Sequence, residues 1–167
     1  MRLSPGKAAE WLIKNAIVRG GRLTQPVVAA WPPSMISYLW IALGGALGSV
    51  CRYWLNSLVS ERVATFPAGT LVINVLGSLV IGVFAAMTGP TGRIGSDSRA
   101  LVSQLVMIGL CGGFTTFSSF SLQTFNLLRE REWLYAGGNV LLSVVLCLAA
   151  TALGFVIGSA FNSMKGN

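Results

Sequence analysis

Four long runs without a charged residue constrain this chain more than any other feature. Each run is longer than the ~20 residues that cross the hydrocarbon core of a bilayer as a helix. The runs extend from Leu23 to Cys51, from Val63 to Gly92, from Ala100 to Leu128 and from Trp133 to Met164. The sequence therefore predicts an all-α membrane protein with four transmembrane helices and both termini on one side, the helices covering about 36–59, 69–87, 100–128 and 135–161.

The composition agrees with this class and excludes others. Only 10% of the residues are charged, whereas about 25% is usual for a soluble domain. The net charge of +7 is explained by basic residues that flank the spans at the lipid headgroups, so nucleic acid is not an expected partner. There is no histidine, which argues against a metal site built from side chains. Cys51, Cys111 and Cys147 lie in apolar runs without CxxC spacing, and we interpret them as small core residues.

Residues 1–34 differ from the rest and are treated as a basic N-terminal extension. They contain five basic residues and one acid and end in Trp31-Pro32-Pro33. Residues 11–18 could form a short amphipathic surface helix. Alternatively, Met35 is the true start, because the first span opens directly after it. The predicted organisation is thus an extension (1–34), a four-helix transmembrane domain (35–162) and a short tail (163–167).

The extension also decides the predicted orientation. Arg93, Arg99 and Lys165 lie on the side of the termini. Arg62, Arg129 and Arg131 lie on the opposite side, with Arg52 as a fourth if it is counted. The positive-inside bias is therefore close to zero without the extension, and the chain can insert either way. The five basic residues of the extension would favour a cytoplasmic N-terminus.

The third span is predicted to be broken midway. Its 29 uncharged residues would reach about 43 Å as one helix at about 1.5 Å per residue, beyond a core of about 30 Å. It contains the run GLCGGFTTFSSFSLQTF at 109–125. Gly112-Gly113 followed by Thr115-Thr116 suggests that the helix unwinds and restarts near Phe117, and the exposed carbonyls could then ligate a small hard cation. A strong tilt or a merely flexible span is the alternative.

Aromatic and polar side chains accompany the predicted break. Phe117 and Phe120 share a helix face, and the positive edges of their rings can favour an anion without a full charge. In the fourth span, a polar residue or a thiol recurs every four residues, so that one stripe contains Asn139, Ser143, Cys147 and Thr151. Asn74 adds amide donors in the second span. Such residues are often only interhelical hydrogen-bonding groups, but together they could form a track of donors.

Three segments resemble the signature regions of the Fluc (CrcB-type) fluoride channels. They are GGALGSVCRYWL at 44–55, GTLVINVLGSLVIG at 69–82 and GLCGGFTTFSSFS at 109–121. The resemblance implies an antiparallel, dual-topology homodimer of four-helix subunits with two fluoride pores along the interface. It implies passive, fluoride-selective export from the cytoplasm across a bacterial inner membrane. The implied partners are fluoride, the lipid bilayer and a second copy, or a paralogue of opposite orientation.

The resemblance also implies roles for individual residues. The backbone carbonyls of Gly112 and Thr115 would hold a structural Na⁺ at the dimer centre, and Phe117 and Phe120 would contact fluoride. The remaining matches are Asn74, Thr116, Ser118, Ser143 and Thr151 near the pore, and Arg52 at its vestibule. Cys147 and Asn139 depart from the family, which often has serine and in some members tyrosine at these positions.

Two other functions stay open at this point. One is a small dual-topology, proton-coupled multidrug exporter, which would ordinarily need an intramembrane acid. The carboxylates outside the extension, however, all fall in predicted loops: Glu61, Asp97, Glu130 and Glu132. The other is a non-transporting membrane subunit whose polar spans bind a partner. No phosphate-binding loop is present, and we do not expect an enzyme.

Overall fold

The computed structural model describes residues 35–61, 66–90 and 92–163, apart from the side chain of Asp97. All regular structure in these residues is helical. Three predictions concern residues outside the described part: the helix at 11–18, the start at Met35 in place of Met1, and the charges of Arg62 and Lys165.

Five helices follow one another along the described chain. Helix α1 is Met35–Ser60 and α2 is Ala68–Thr88. Helix α3 begins as Ser96–Val102, continues as π-helix over Ser103–Cys111 and ends with the turn Gly112–Phe114. Helix α4 is Phe117–Arg129 and α5 is Trp133–Ser163. The nine π-helical residues were not foreseen from the sequence.

Within the described residues, four segments are long and apolar enough to cross a membrane: Met35–Ser60, Ala68–Thr88, Ser98–Arg129 and Trp133–Ser163. The third consists of most of α3 followed by α4. The prediction of four spans with an interrupted third is confirmed, and the observed ends lie within a few residues of the expected ones. Lipid satisfies no backbone polar group, so uncharged runs of this length must form helices.

Small residues set the packing of α1 on α3. A Cβ atom added to Gly44 would meet the carbonyl oxygen of Leu105, and one added to Gly48 would meet that of Leu110. Both glycines are buried. The two backbones therefore touch, as the Gly44/Gly48 pattern predicts for helices that must associate without a hydrophobic effect.

Glycines also bring the backbones of α2 and α5 into contact. A Cβ atom at Gly82 would meet the Thr151 carbonyl, and one at Gly154 would meet the Leu79 carbonyl. Helix α4 also packs on α5, although less extensively. The broken third span is thus held by α1 through its first half and by α5 through its second.

Hydrogen bonds close the two ends of this bundle. The turn from α4 to α5 has Arg131 in the left-handed region at φ 62°, and the Glu132 amide donates to the Leu127 carbonyl at 2.9 Å, as in a Schellman motif. At the other end, Asn162 accepts from the Arg93 amide at 2.9 Å and donates to the Ala86 carbonyl at 3.1 Å. These contacts fix where α5 begins and ends.

Candidate functional site

The break in the third span lies at two threonines. Thr115 has φ −79° and ψ 157°, and Thr116 has φ −151° and ψ 108°, both extended conformations. Helix α4 restarts at Phe117, as predicted. Gly112, in contrast, is still helical at φ −64° and ψ −38°. The chain therefore unwinds after the glycines and not at them.

The glycines before the break are explained by packing instead. A Cβ atom at Gly113 would lie 2.5 Å from the carbonyl oxygen of Gly45 on α1, a distance that no side chain tolerates. At Gly112 the same test meets no atom within 4 Å. Gly113 lets α1 approach, whereas the side of α3 that carries Gly112 is open in the single chain.

One side chain satisfies the backbone groups that the break releases. Asn74 Oδ1 accepts the Thr116 N–H at 2.8 Å, and Asn74 Nδ2 donates to the Thr116 carbonyl at 3.3 Å. We call this pair of bonds the Asn74–Thr116 bridge. Because a buried unpaired amide or carbonyl costs about 1–3 kcal/mol, the bridge stabilises an extended residue at membrane depth. Asn74 Nδ2 carries a second hydrogen, which remains for another acceptor.

Thr116 also forms the N-cap of α4. Its Oγ1 accepts the Ser119 N–H at 3.1 Å and lies 3.1 Å from the hydroxyl oxygens of Ser118 and Ser119. A threonine N-cap satisfies one of the free amides in the first turn of a helix. The restart at Phe117 is thereby stabilised from within the run itself.

The Asn74–Thr116 bridge and the N-cap together release the carbonyls of Gly112 and Thr115 from their helical hydrogen bonds. In a regular helix the N–H of Thr116 would bond Gly112, and that of Ser119 would bond Thr115. Here the first N–H donates to Asn74 and the second to the Thr116 hydroxyl. Both carbonyls predicted to hold Na⁺ thus lose their helical donors, which leaves oxygen lone pairs of the kind that a hard cation binds.

A cavity of about 510 Å³, the main cavity, lies beside the break. It brings together most of the predicted pore residues, with side chains from α2, α3, α4 and α5. Its lining comprises Asn74, Gly77, Ser78, Ile81, Met107, Cys111, Gly112, Thr115, Phe117, Phe120, Ser143, Val144, Cys147 and Leu148. No charged side chain is among them. The rings of Phe117 and Phe120 are 5.4 Å apart and tilted by 45°.

The polar stripe of α5 divides at this cavity. Ser143 and Cys147 line the main cavity, and the buried Ser143 Oγ has no hydrogen-bond partner in the described part of the chain. Thr151 does not line it. The Thr151 hydroxyl donates to the Cys147 carbonyl at 3.0 Å, and the Thr151 carbonyl packs on Gly82. Asn139 bonds α4 instead, at Thr124.

A second cavity, of about 300 Å³, lies on the other side of the bridge and we call it the side cavity. Arg52 lines it together with Thr116, Ser119 and Gln123. Asn74 contributes to the main cavity and Thr116 to the side cavity, so the Asn74–Thr116 bridge stands between them. Ser118 lines neither cavity and contacts only the cap hydroxyl of Thr116 among its described hydrogen bonds.

Some contributing residues were not singled out from the sequence. Ser119 and Gln123 line the side cavity, and Thr124 links α4 to α5. The capping role of Thr116 had a signal, because a threonine directly before an apolar helical run is a common N-cap. Gln123 and Thr124 had none, since neither belongs to a motif.

The cysteines are free thiols, and only one of them is a core residue of the single chain. Cys111 is buried, Cys147 is half-buried and Cys51 is exposed. The interpretation as small core residues is therefore wrong for Cys51, which faces outward from α1. In the described residues, no three His, Cys, Asp or Glu side chains group closely enough to hold a metal ion.

The helices and the cavities together define a class: a small multi-pass helical membrane protein with an uncharged, partly polar cavity at a broken helix. Residues 39–155 match the family described as "CrcB-like protein, Camphor Resistance (CrcB)". The chain belongs to this family.

Similar proteins of known name share most of their length with this chain. The protein named "Fluoride-specific ion channel FluC" from Opitutus terrae is 56% identical over 136 residues, which cover 80% of this chain and 100% of the relative. The protein of the same name from Methylocella silvestris is 54% identical over 134 residues, covering 78% and 99%. A third, from Rhodospirillum rubrum, is 55% identical over 124 residues, covering 72% and 93%.

Proposed function

We propose that this chain is a passive, fluoride-selective ion channel that exports fluoride from the cytoplasm across a bacterial inner membrane. The observation that carries the proposal is the main cavity. It combines an unpartnered buried hydroxyl at Ser143, the ring pair Phe117 and Phe120, and the Asn74 amide. Similarity to proteins named for fluoride conduction supports the choice of ion.

The chemistry of the cavity suits a small anion. Fluoride holds its water tightly, so a pore must replace that shell with other donors before the ion enters a medium of low dielectric. The Ser143 hydroxyl, the second hydrogen of Asn74 Nδ2 and the positive edges of the phenylalanine rings can each face an anion. Because no charged side chain lines the cavity, nothing there would trap the ion.

Arg52 would act before this point, in the side cavity. An arginine keeps its positive charge at any physiological pH and raises the local concentration of anions. Thr116 and Ser119 supply hydroxyls on the wall nearest the main cavity. We infer that the side cavity is the vestibule and that fluoride passes the Asn74–Thr116 bridge to reach the phenylalanines. Thr116 and Ser118 would then contribute through their hydroxyls at the N-cap of α4. Thr151 would support the polar stripe of α5 through its hydrogen bond to the Cys147 carbonyl.

A second copy in antiparallel orientation would complete the pore. Phe117 is 78% exposed in the single chain, and the space beside Gly112 is open. Both features fit a face that another subunit covers. A structural Na⁺ would lie there, held by the released carbonyls of Gly112 and Thr115 from both copies. When bound, the ion would supply a positive charge that attracts the released carbonyls of both copies and so holds the two helix breaks together.

The rival function, a proton-coupled multidrug exporter, finds less support. Of the described carboxylates, Glu61 follows α1, and Glu130 and Glu132 lie in the turn between α4 and α5. None lies in the middle of a span, where proton coupling requires a group that titrates.

The direct test is ion flux from liposomes that contain the purified protein alone. With potassium fluoride inside, we expect fluoride to leave rapidly when valinomycin allows K⁺ to follow, with little chloride release under the same gradient. Equal release of the two halides would contradict selectivity. The absence of fluoride release from liposomes with verified protein content would overturn the proposed function.

A separate prediction concerns Na⁺. We expect the dimer to be more heat-stable in NaCl than in N-methyl-D-glucamine chloride of equal ionic strength, because a ligand that binds only the folded dimer stabilises it. The gain is about 2.7 kcal/mol when the ion is present at 100 times its Kd. Thermal unfolding monitored by size-exclusion chromatography measures it. Identical curves in the two salts, after exhaustive dialysis against the organic cation, would exclude a stabilising Na⁺ site.

A further inference from the structure

We propose that Asn139 is a positioning residue that sets the place of Phe120 through Thr124. The role deepens the proposed function and rests on it, since Phe120 matters only if it faces the conducted ion. Asn139 lies on α5 and has no lining position in either cavity. It acts, in this proposal, through a chain of two hydrogen bonds that we call the relay.

The relay runs from α5 to the backbone of α4. Asn139 Nδ2 donates to Thr124 Oγ1 at 2.8 Å, and Thr124 Oγ1 donates in turn to the Phe120 carbonyl at 2.8 Å. The two bonds can form at the same time, because a threonine hydroxyl can accept one hydrogen bond while it donates another. The relay therefore ends on the residue whose ring lines the main cavity.

Asn139 is almost completely buried, so its side-chain amide depends on hydrogen bonds within the protein. Only 1% of the residue is exposed, and it is one of two fully buried large side chains in the described part, with Ile73 as the other. A buried amide is unfavourable unless it is hydrogen-bonded. Loss of Thr124 as an acceptor would leave the Asn139 amide without this bond at membrane depth, so the two residues hold each other in place.

The relay also sets the spacing between two walls of the main cavity. Ser143 lies four residues after Asn139 on the same face of α5. It lines the main cavity, and its Oγ has no hydrogen-bond partner among the described residues. Phe120 lies four residues before Thr124 on α4. A bond between Asn139 and Thr124 thus ties together the two helices that carry Ser143 and Phe120, which both line the main cavity. Because the width of that cavity limits which anion its walls can contact, we infer that the relay contributes to selectivity.

The test uses two substitutions that break the relay and one that keeps it. Thr124→Val removes the hydroxyl but preserves the shape, Asn139→Leu removes the donor, and Thr124→Ser retains the hydroxyl. In liposomes we expect the fluoride-to-chloride flux ratio to fall by about tenfold in the first two, a factor that corresponds to about 1.4 kcal/mol. Thr124→Ser should keep the flux ratio of the unaltered protein. The double variant should be no worse than either single one, because both changes break the same relay.

Ser163→Ala is the matched control. Ser163 also donates to the carbonyl four residues back, to Ser159 at 3.2 Å, but it lies at the end of α5 and neither residue lines the main or the side cavity. It should leave the flux ratio unchanged. If the relay variants are folded dimers with the ratio of the unaltered protein, or if Ser163→Ala changes the ratio equally, the positioning role is wrong. If the unaltered protein itself releases no fluoride, the proposed function fails instead, and the two failures are thereby distinguished.

Discussion

Fluoride flux through the protein is expected to fall by about tenfold when Phe120 is replaced by isoleucine. Isoleucine keeps an apolar side chain but has no ring edge to offer an anion. Pairs of aromatic rings gain about 0.5–1.5 kcal/mol beyond their buried area through the ring quadrupole. A ring edge that faces an anion acts through the same quadrupole, and a loss of about 1.4 kcal/mol corresponds to about tenfold in rate. Phe117→Ile should have a similar effect, because its ring lies 5.4 Å from that of Phe120 beside the same cavity. Flux from liposomes and the elution volume in size-exclusion chromatography are the measurements.

Phe125→Ile is the matched control for both variants. Phe125 also lies on α4 and is 57% exposed, but it lines neither cavity. It should conduct as the unaltered protein does. Unchanged flux in both Phe117→Ile and Phe120→Ile, with an unchanged elution volume, would remove the phenylalanine edges from the mechanism.

The second large effect is expected from Gly48→Val and concerns the fold. The new Cβ atom would meet the carbonyl oxygen of Leu110 and would lie 2.8 Å from the amide nitrogen of Phe114. Neither is the end of a side chain that can turn away, so α1 must separate from α3. Overpacking of this kind costs about 1–3 kcal/mol, and more where the backbone must move. We expect a clear loss of monodisperse protein and a lower Tm.

Gly137→Val tests whether valine at a membrane-helix glycine is itself the cause. A Cβ atom at Gly137 meets nothing within 4 Å in the single chain, and the residue lies near the start of α5. This variant should be recovered in normal yield with an unchanged Tm. Equal losses in both variants would show that helix propensity, and not the approach of α1 to α3, explains the effect of Gly48→Val.

The third span has to meet two opposite demands, and the effect of Gly48→Val depends on the first of them. Its first part must lie close to α1, which requires small residues such as Gly109 and Gly113 at the contact. Its end must release the carbonyls of Gly112 and Thr115, which requires other groups to take their amide partners. The two glycines and two threonines of residues 112–116 meet these demands one after the other, within five residues.

The sequence alone determined the number of membrane-crossing segments, their approximate ends and the interruption of the third. The reason is physical: charges and unpaired backbone groups are excluded from hydrocarbon, so the positions of the charged residues delimit the spans. The excess length of the third run, together with its hydroxyl residues, indicated the break. Helical spacing also predicted that Phe117 and Phe120 share a face.

Only the tertiary structure decided which residue each of those faces meets. Periodicity shows that Asn139, Ser143 and Thr151 share a stripe, but not that the first bonds Thr124, the second is unpartnered and the third bonds the backbone of its own helix. It also does not show that Asn74 replaces the helical partner of Thr116 across 42 residues of chain. These are contacts between distant parts of the chain, and they depend on the depth and rotation of neighbouring helices, which the packing of small residues sets.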